Sequence, residues 1–231
     1  MNTKRITLFA GHYGSGKTNI AVNYALHLKK AGYPTVIADL DIVNPYFRTK
    51  DSEKFLEERG IHLISSEYAN SNVDVPALPA EAYSIIDNLS VKAVIDVGGD
   101  DRGALALGRY SPAILKQNDY EMLFVINKYR PLTPNCASTV AVMREIETAG
   151  GMKFTGIINN SNLGDETSAD DVLASVAYAN EISEFTGLPI KMTGVKEDLY
   201  DVLKDKIENC FPIRLYVKQS WTKTEEDLWQ K

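Results

Sequence analysis

The chain has 231 residues, 44% of them hydrophobic and 24% charged, the balance of a globular protein rather than of a disordered or fibrous one. Its 25 Lys+Arg against 31 Asp+Glu leave a formal charge of −6, which argues against non-specific adhesion to nucleic acid or to an anionic membrane surface. Cys136 and Cys210 are too few for a disulfide framework and are not spaced as metal ligands, so reduced thiols are expected.

Along the chain, short β-rich runs alternate with helical patterns, which predicts βαβ units and a mainly parallel sheet with helices on both faces, a three-layer α/β/α fold. "RITLFAG" (5–11) is a first strand, and its apolar run is too short for a signal peptide; no run approaches the roughly 20 apolar residues of a membrane span. A cytoplasmic protein without a membrane or nucleic-acid partner is therefore expected. Residues 17–32 place Ile20, Tyr24, Ala25 and Leu28 on one helical face and end at Gly32. "PTVIAD" (34–39) is a second strand, 50–60 a short polar helix, and 66–79 an irregular loop. "PAEAYSIIDNL" returns to helix, and "VKAVIDVGG" (91–99) is a buried strand ending in glycines. "YEMLFVIN" (120–127) and "FTGIINN" (154–160) are further strands, with helices over 136–151 and 168–187. The tail from Pro189 predicts one more strand, a short helix and a surface segment. No repeat or linker interrupts the pattern, so residues 1–231 read as a single nucleotide-binding domain.

The sharpest local signal is "GHYGSGKT" (11–18), a G-x-x-x-x-G-K-T phosphate loop lying between a strand and a helix, the context such a loop needs. Gly14 and Gly16 let successive backbone N–H groups converge on one anion, and the helix N-terminus adds partial positive charge. Lys17 is placed for the β- and γ-phosphates and the Thr18 hydroxyl for Mg²⁺. Gly11, His12, Tyr13, Ser15 and Asn19 complete the candidate nucleotide-binding stretch. Two acidic segments support it. Asp39 and Asp41, two apart at a strand end, point the same way, toward the carboxyl edge where open α/β sheets bind ligands. One suits a Mg²⁺-linked role, and Asp41 suits orientation of the attacking water. Asp96 sits among Ala93, Val94, Ile95 and Val97, and a carboxylate in such surroundings needs a reason, which a metal supplies. Gly99, three residues on, has its N–H placed for the γ-phosphate, and "DDRG" after it can report nucleotide state through order and disorder.

Together these segments resemble the MinD/ParA group of P-loop ATPases, the deviant-Walker class that also holds CobB/CobQ-type amidoligases and dethiobiotin synthetases. The resemblance runs from "GHYGSGKT" through "DLD" and "VIDVGG" to "GIINN" and "GLPIKMTGVKED". It implies phosphate and Mg²⁺ roles for Lys17 and Thr18, water activation for Asp41, and a metal-linked role for Asp96. It also implies adenine contacts from Asn159 or Asn160 and a base-bordering segment over Thr193 to Lys196, Val195 included. The group's usual loop, K-G-G-x-G-K-T, carries a first lysine that reaches across a nucleotide-dependent homodimer. His12 holds that position here, so His12, Arg48, Arg102 or Lys128 is left to supply the charge, and Arg102 ranks first as a catalytic candidate.

A guanine site of the common kind would carry N-K-x-D, but "INKYRP" places Arg130 where the acid belongs, which favours ATP over GTP. The leading expectation is a Mg²⁺-dependent ATPase switch acting on a protein partner. The alternative is an ATP-dependent small-molecule kinase or ligase, with an acceptor pocket drawn from Tyr46, Arg48 and the 66–79 loop. Three scattered histidines and unpaired cysteines argue against a metallochaperone.

Overall fold

The computed structural model describes residues 3–41, 49–65, 83–99 and 101–216, with side chains omitted at 50, 51, 101 and 102. Its strands are β1 (Ile6–Ala10), β2 (Thr35–Leu40), β3 (His62–Ile64), β4 (Lys92–Val97), β5 (Tyr120–Ile126), β6 (Gly156–Asn159), β7 (Ile190–Lys196) and β8 (Cys210–Ile213). They form an 8-stranded sheet in the order β3-β2-β4-β1-β5-β6-β7-β8. Every pairing between these strands is parallel. The helices are α1 (Lys17–Lys30), α2 (Glu53–Glu57), α3 (Ser84–Asp87), α4 (Asp101–Gly108), α5 (Ser111–Gln117), α6 (Cys136–Gly150), α7 (Ala169–Thr186) and α8 (Tyr200–Leu203).

Because the sheet is covered on both faces, its strands are apolar at nearly every position, and alternation only decides which core a side chain joins. On one face Phe9, Ile37, Val94 and Leu123 pack with Ile20, Tyr24 and Leu28 of α1 and Leu56 of α2. On the other, Leu8, Ala38, Ile95 and Phe124 pack with Leu107, Ile114, Met143 and Ile182 of α4 to α7. This is the three-layer α/β P-loop NTPase fold. The same alternation sends Asp39 and Asp96 to the α1 face at the carboxyl ends of β2 and β4, where the two residues stand opposite each other in register. No helix among the described residues is long and apolar enough to cross a membrane.

Most elements fall within a few residues of the sequence reading. Three differ. The polar helix expected over 50–60 is a 3₁₀ turn (Thr49–Ser52) followed by the five residues of α2. Two helices stand where none is predicted, α4 and α5. The tail contributes two strands, β7 and β8, rather than one. The 66–79 loop, Tyr46 and the segment after Tyr216 lie outside the described residues.

Phe9 is fully buried beneath α1, edge-on to Tyr24 with ring centroids 5.3 Å apart. Phe9→Ala is expected to cost about 3–5 kcal/mol, read as a lower denaturant midpoint at unchanged slope.

Candidate functional site

The phosphate loop joins β1 to α1 and is shaped by its own backbone. Ser15 N–H donates to His12 O at 3.0 Å, closing a tight turn. Gly14 and Gly16 adopt φ +78° and +84°, left-handed values that an L side chain resists. Gly16 is the N-cap of α1, and no side chain caps that helix end, so its first N–H groups face the loop. The loop is also wedged from outside. A Cβ on Gly11 would lie 2.3 Å from Val125 O, and one on Gly99 would lie 2.7 Å from Gly11 O and 2.9 Å from Tyr13 N. Gly99, two residues past β4, thus rests directly on the loop, and only glycine allows that approach.

Under the loop lies a buried cluster of charge. Lys17 and Asp41 form an ion pair of 2.8 Å with both side chains at or below 5% exposure. Asp41 N–H donates to Asp39 Oδ1 at 3.0 Å. The Asp96 carboxylate accepts from the Thr18 hydroxyl and, through Oδ2, from Thr49 Oγ1 at 3.2 Å. Its Oδ1 is buried without a hydrogen-bond partner. Burial pushes the Asp39 and Asp96 carboxyls above the usual carboxylate range. For Asp39 the Asp96 and Asp41 charges add to the rise, whereas for Asp96 the Lys17 ammonium opposes it. Burial alone would lower the pKa of Lys17, but attraction to Asp41, Asp96 and Asp39 outweighs it and keeps the ammonium charged above its ordinary value. One ammonium therefore faces three buried carboxyl groups, and the orphaned Asp96 oxygen beside the Thr18 hydroxyl suits a divalent cation or its water.

Gly98 and Gly103 bring the β4 end against α4: a Cβ on either would fall 2.4 Å from the other's Cα. Asp41 Oδ1 lies 3.3 Å from that same Gly98 position. The elements following β2 and β4 thus meet the loop at one spot.

The opposite flank of the loop carries amides and hydroxyls rather than carboxylates. Asn160, after β6, donates from Nδ2 to Ser15 O at 2.7 Å, its amide wedged between Gly16 and Gly194. Asn159 is turned instead into the protein, donating to Ser175 Oγ of α7 at 2.9 Å and accepting from Ser161. Val195 packs into a small cluster with Val172, Leu203 and Ile207, leaving only its backbone near the sheet edge. Asn19 accepts the Tyr216 N–H at 3.0 Å. His12 folds back with Nδ1 2.9 Å from Tyr13 O, and Tyr13 is half-exposed on the loop's outer rim.

Of the cations nominated from sequence, Arg48 lies outside the described residues, as does the Arg102 side chain. Lys128 is directed at α7, with Nζ donating to Ala174 O at 3.2 Å. The cation that touches the loop is Arg130, whose Nε donates to Gly14 O at 2.7 Å. Sequence reasoning weighed Arg130 only as a missing acid. The N-K-x-x spacing after a strand was the signal available for it. Thr49 was also overlooked, since nothing in "FRTKDSE" marks it as a partner for Asp96.

Asp39→Asn removes one of three carboxylates facing a single ammonium while keeping an acceptor for the Asp41 N–H. Its expected effect is to stabilise the nucleotide-free protein by about 1 kcal/mol, a rise of roughly 2–4 °C in melting temperature, checked by calorimetry.

No protein-family model and no curated protein sequence matches the chain. Solved structures do. The cell division protein FtsY of Thermotoga maritima superposes with a TM-score of 0.59 at 21% identity, covering 83% of this chain and 62% of that one. Chloroplast FtsY of Physcomitrella patens gives 0.59 at 19% identity, over 85% of this chain and 60% of that one. The 54 kDa signal recognition particle protein of Aeropyrum pernix, solved with GDP, gives 0.50 at 17% identity, over 83% and 41%. The chain thus spans about three fifths of the length of the FtsY chains it matches. At this identity the likeness establishes the α/β P-loop fold that the sheet order and the loop display.

Proposed function

We propose that the chain is an ATP-binding P-loop NTPase, a Mg²⁺-dependent and slow ATPase that works in the cytoplasm as a nucleotide-driven switch on a protein partner. One observation carries the reading: Lys17, at the start of α1 beneath a loop of left-handed glycines, holds a charged ammonium in a buried cluster with Asp41, Asp39 and Asp96. Such a cluster has little structural value by itself, because burying charge costs more than the pairing returns. It suits a site that receives an anion and a cation together.

In this reading the loop N–H groups and Lys17 bind the phosphates, and Thr18 with Asp96 would hold Mg²⁺. Among the described residues no three His, Cys, Asp or Glu side chains stand arranged to hold a metal by themselves, and Mg²⁺ sites commonly take further ligands from substrate phosphates and water. When bound there, the cation would supply neutralisation of phosphoryl charge. When a phosphate takes over Lys17, Asp41 loses its ion-pair partner and is set to orient the attacking water. Gly99, seated against Gly11 and Tyr13, would exchange that loop contact for the terminal phosphate and carry the change into α4 through Gly98 and Gly103. One feature supports ATP rather than GTP: the position after Asn127-Lys128-Tyr129 holds Arg130, a donor-only side chain that cannot accept from guanine.

Turnover of ATP and GTP by the purified protein, with Mg²⁺ and with added metabolite or macromolecular fractions of an extract, tests this proposal. The expected result is slow ATP hydrolysis stimulated by a macromolecule. Preference for GTP would reverse the base assignment, and strong stimulation by a small molecule would replace the switch with a kinase or ligase. Asp41→Asn is expected to lower hydrolysis on the order of 100-fold while nucleotide affinity is kept or rises, since Lys17 then has no direct ion pair to surrender. Unchanged hydrolysis would remove Asp41 from the mechanism.

A further inference from the structure

Arg130 holds a place in the site that the phosphate-loop pattern does not assign. Its turn is pinned on every side but one. Asn127, fully buried, accepts the Tyr129 N–H at 3.0 Å and donates to Asn162 O at 3.2 Å. The Arg130 N–H donates to Asn127 O at 3.3 Å, and the Thr133 N–H to Arg130 O at 3.1 Å. Lys128 and Tyr129 are tied to α7 through Ala174 O and Asp171 O. Of this turn only Arg130 leaves toward the phosphate loop, where Nε donates to Gly14 O at 2.7 Å. Its side chain lies flat over Gly14, whose missing Cβ would sit 3.3 Å from Nε, 3.4 Å from Cδ and 3.8 Å from Cζ. One N–H of the guanidinium is spent on the loop. Among the described residues no carboxylate forms an ion pair with its Nη atoms.

The sheet order says which part of a bound nucleotide these atoms meet. β4 flanks β1 on one side and β5 on the other. The carboxylates and Gly99 all belong to the β2–β4 side, so on the nucleotide-binding reading a terminal phosphate with its Mg²⁺ would lie there. The nucleoside would then leave the loop on the β5–β6 side, where Arg130 stands with Asn160.

We propose that Arg130 is a cis clamp on the nucleoside-proximal half of the nucleotide: Nε fixes the guanidinium to the loop, and its Nη groups donate to the α-phosphate and ribose oxygens. The inference rests on the nucleotide-binding reading above. It assigns the charge missing at His12 to the opposite end of the phosphate chain from a γ-phosphate lysine. Di- and triphosphate therefore gain equally, and Arg130 contributes retention rather than sensing of hydrolysis. A guanidinium already immobilised against the loop loses little freedom on binding, which strengthens each contact it makes.

The test is equilibrium titration of wild type, Arg130→Gln and Arg130→Ala with ATP and with ADP in the presence of Mg²⁺, beside melting curves of the nucleotide-free proteins. Gln keeps a donor near Gly14 O but removes the charge. The expected result for Arg130→Gln is an apo melting temperature close to wild type and dissociation constants for ATP and ADP both raised about 10-fold or more, by one common factor. A loss confined to ATP would make Arg130 a terminal-phosphate group and overturn the proposal. Unchanged affinity in Arg130→Gln would overturn it too, leaving a strut for the loop. Should wild type itself bind neither nucleotide, the nucleotide reading fails rather than this refinement of it.

Discussion

The buried ion pair between Lys17 and Asp41 is the constraint around which the rest of the site is arranged. An ammonium and a carboxylate 2.8 Å apart and almost inaccessible to water are held only because their surroundings fix them. α1 delivers Lys17, β2 delivers Asp39 and Asp41, and β4 delivers Asp96. The loop, braced by Gly99 from above, closes over them. The excess of carboxylate over ammonium is the informative part. A core selected for stability alone would replace such a cluster with apolar groups. A site that admits a polyphosphate with a divalent cation uses both signs: the ammonium meets the phosphates and the spare carboxylate oxygens meet the cation.

The sheet divides this work between its two halves. On the β2–β4 side the described polar contacts near the loop centre on the carboxyl groups of Asp39, Asp41 and Asp96, and the Gly98–Gly103 contact ties that side to α4. On the β5–β7 side the contacts are amides and one guanidinium, anchored through Asn127, Asn159 and Asn160 into networks that reach α7. One flank is thus rich in carboxylates close to the loop, and the other holds the loop through amides and a guanidinium.

Much of this was legible in the sequence, for reasons that are local. "GHYGSGKT" between a strand and a helix fixes its own geometry, because glycine spacing and helix start are backbone properties. Asp96 within an apolar run declared itself as a buried acid. What was not legible depends on tertiary contact. α4 carries Gly103 inside a helix, which lowers its local propensity, yet the residue is there so that the helix can meet Gly98. α5 opens with Pro112, which reads as a turn and is a helix start. β8 contains Pro212, tolerated because the strand lies at the sheet edge. The equivalence of Asn159 and Asn160 in the string vanishes in three dimensions, since adjacent strand-end residues face opposite ways. Arg130 was visible only as the loss of an acid, because its partner Gly14 is distant in sequence.

The central claim is that Lys17 exchanges a carboxylate for a phosphate. Isothermal titration of wild type and Lys17→Gln with ATP and Mg²⁺ addresses it most directly, with cooperative melting as the check on folding. Wild type is expected to bind one-to-one and the variant to lose at least about 100-fold in affinity, in line with removal of a charge-assisted contact from a buried site. A folded Lys17→Gln that binds as tightly as wild type would contradict it.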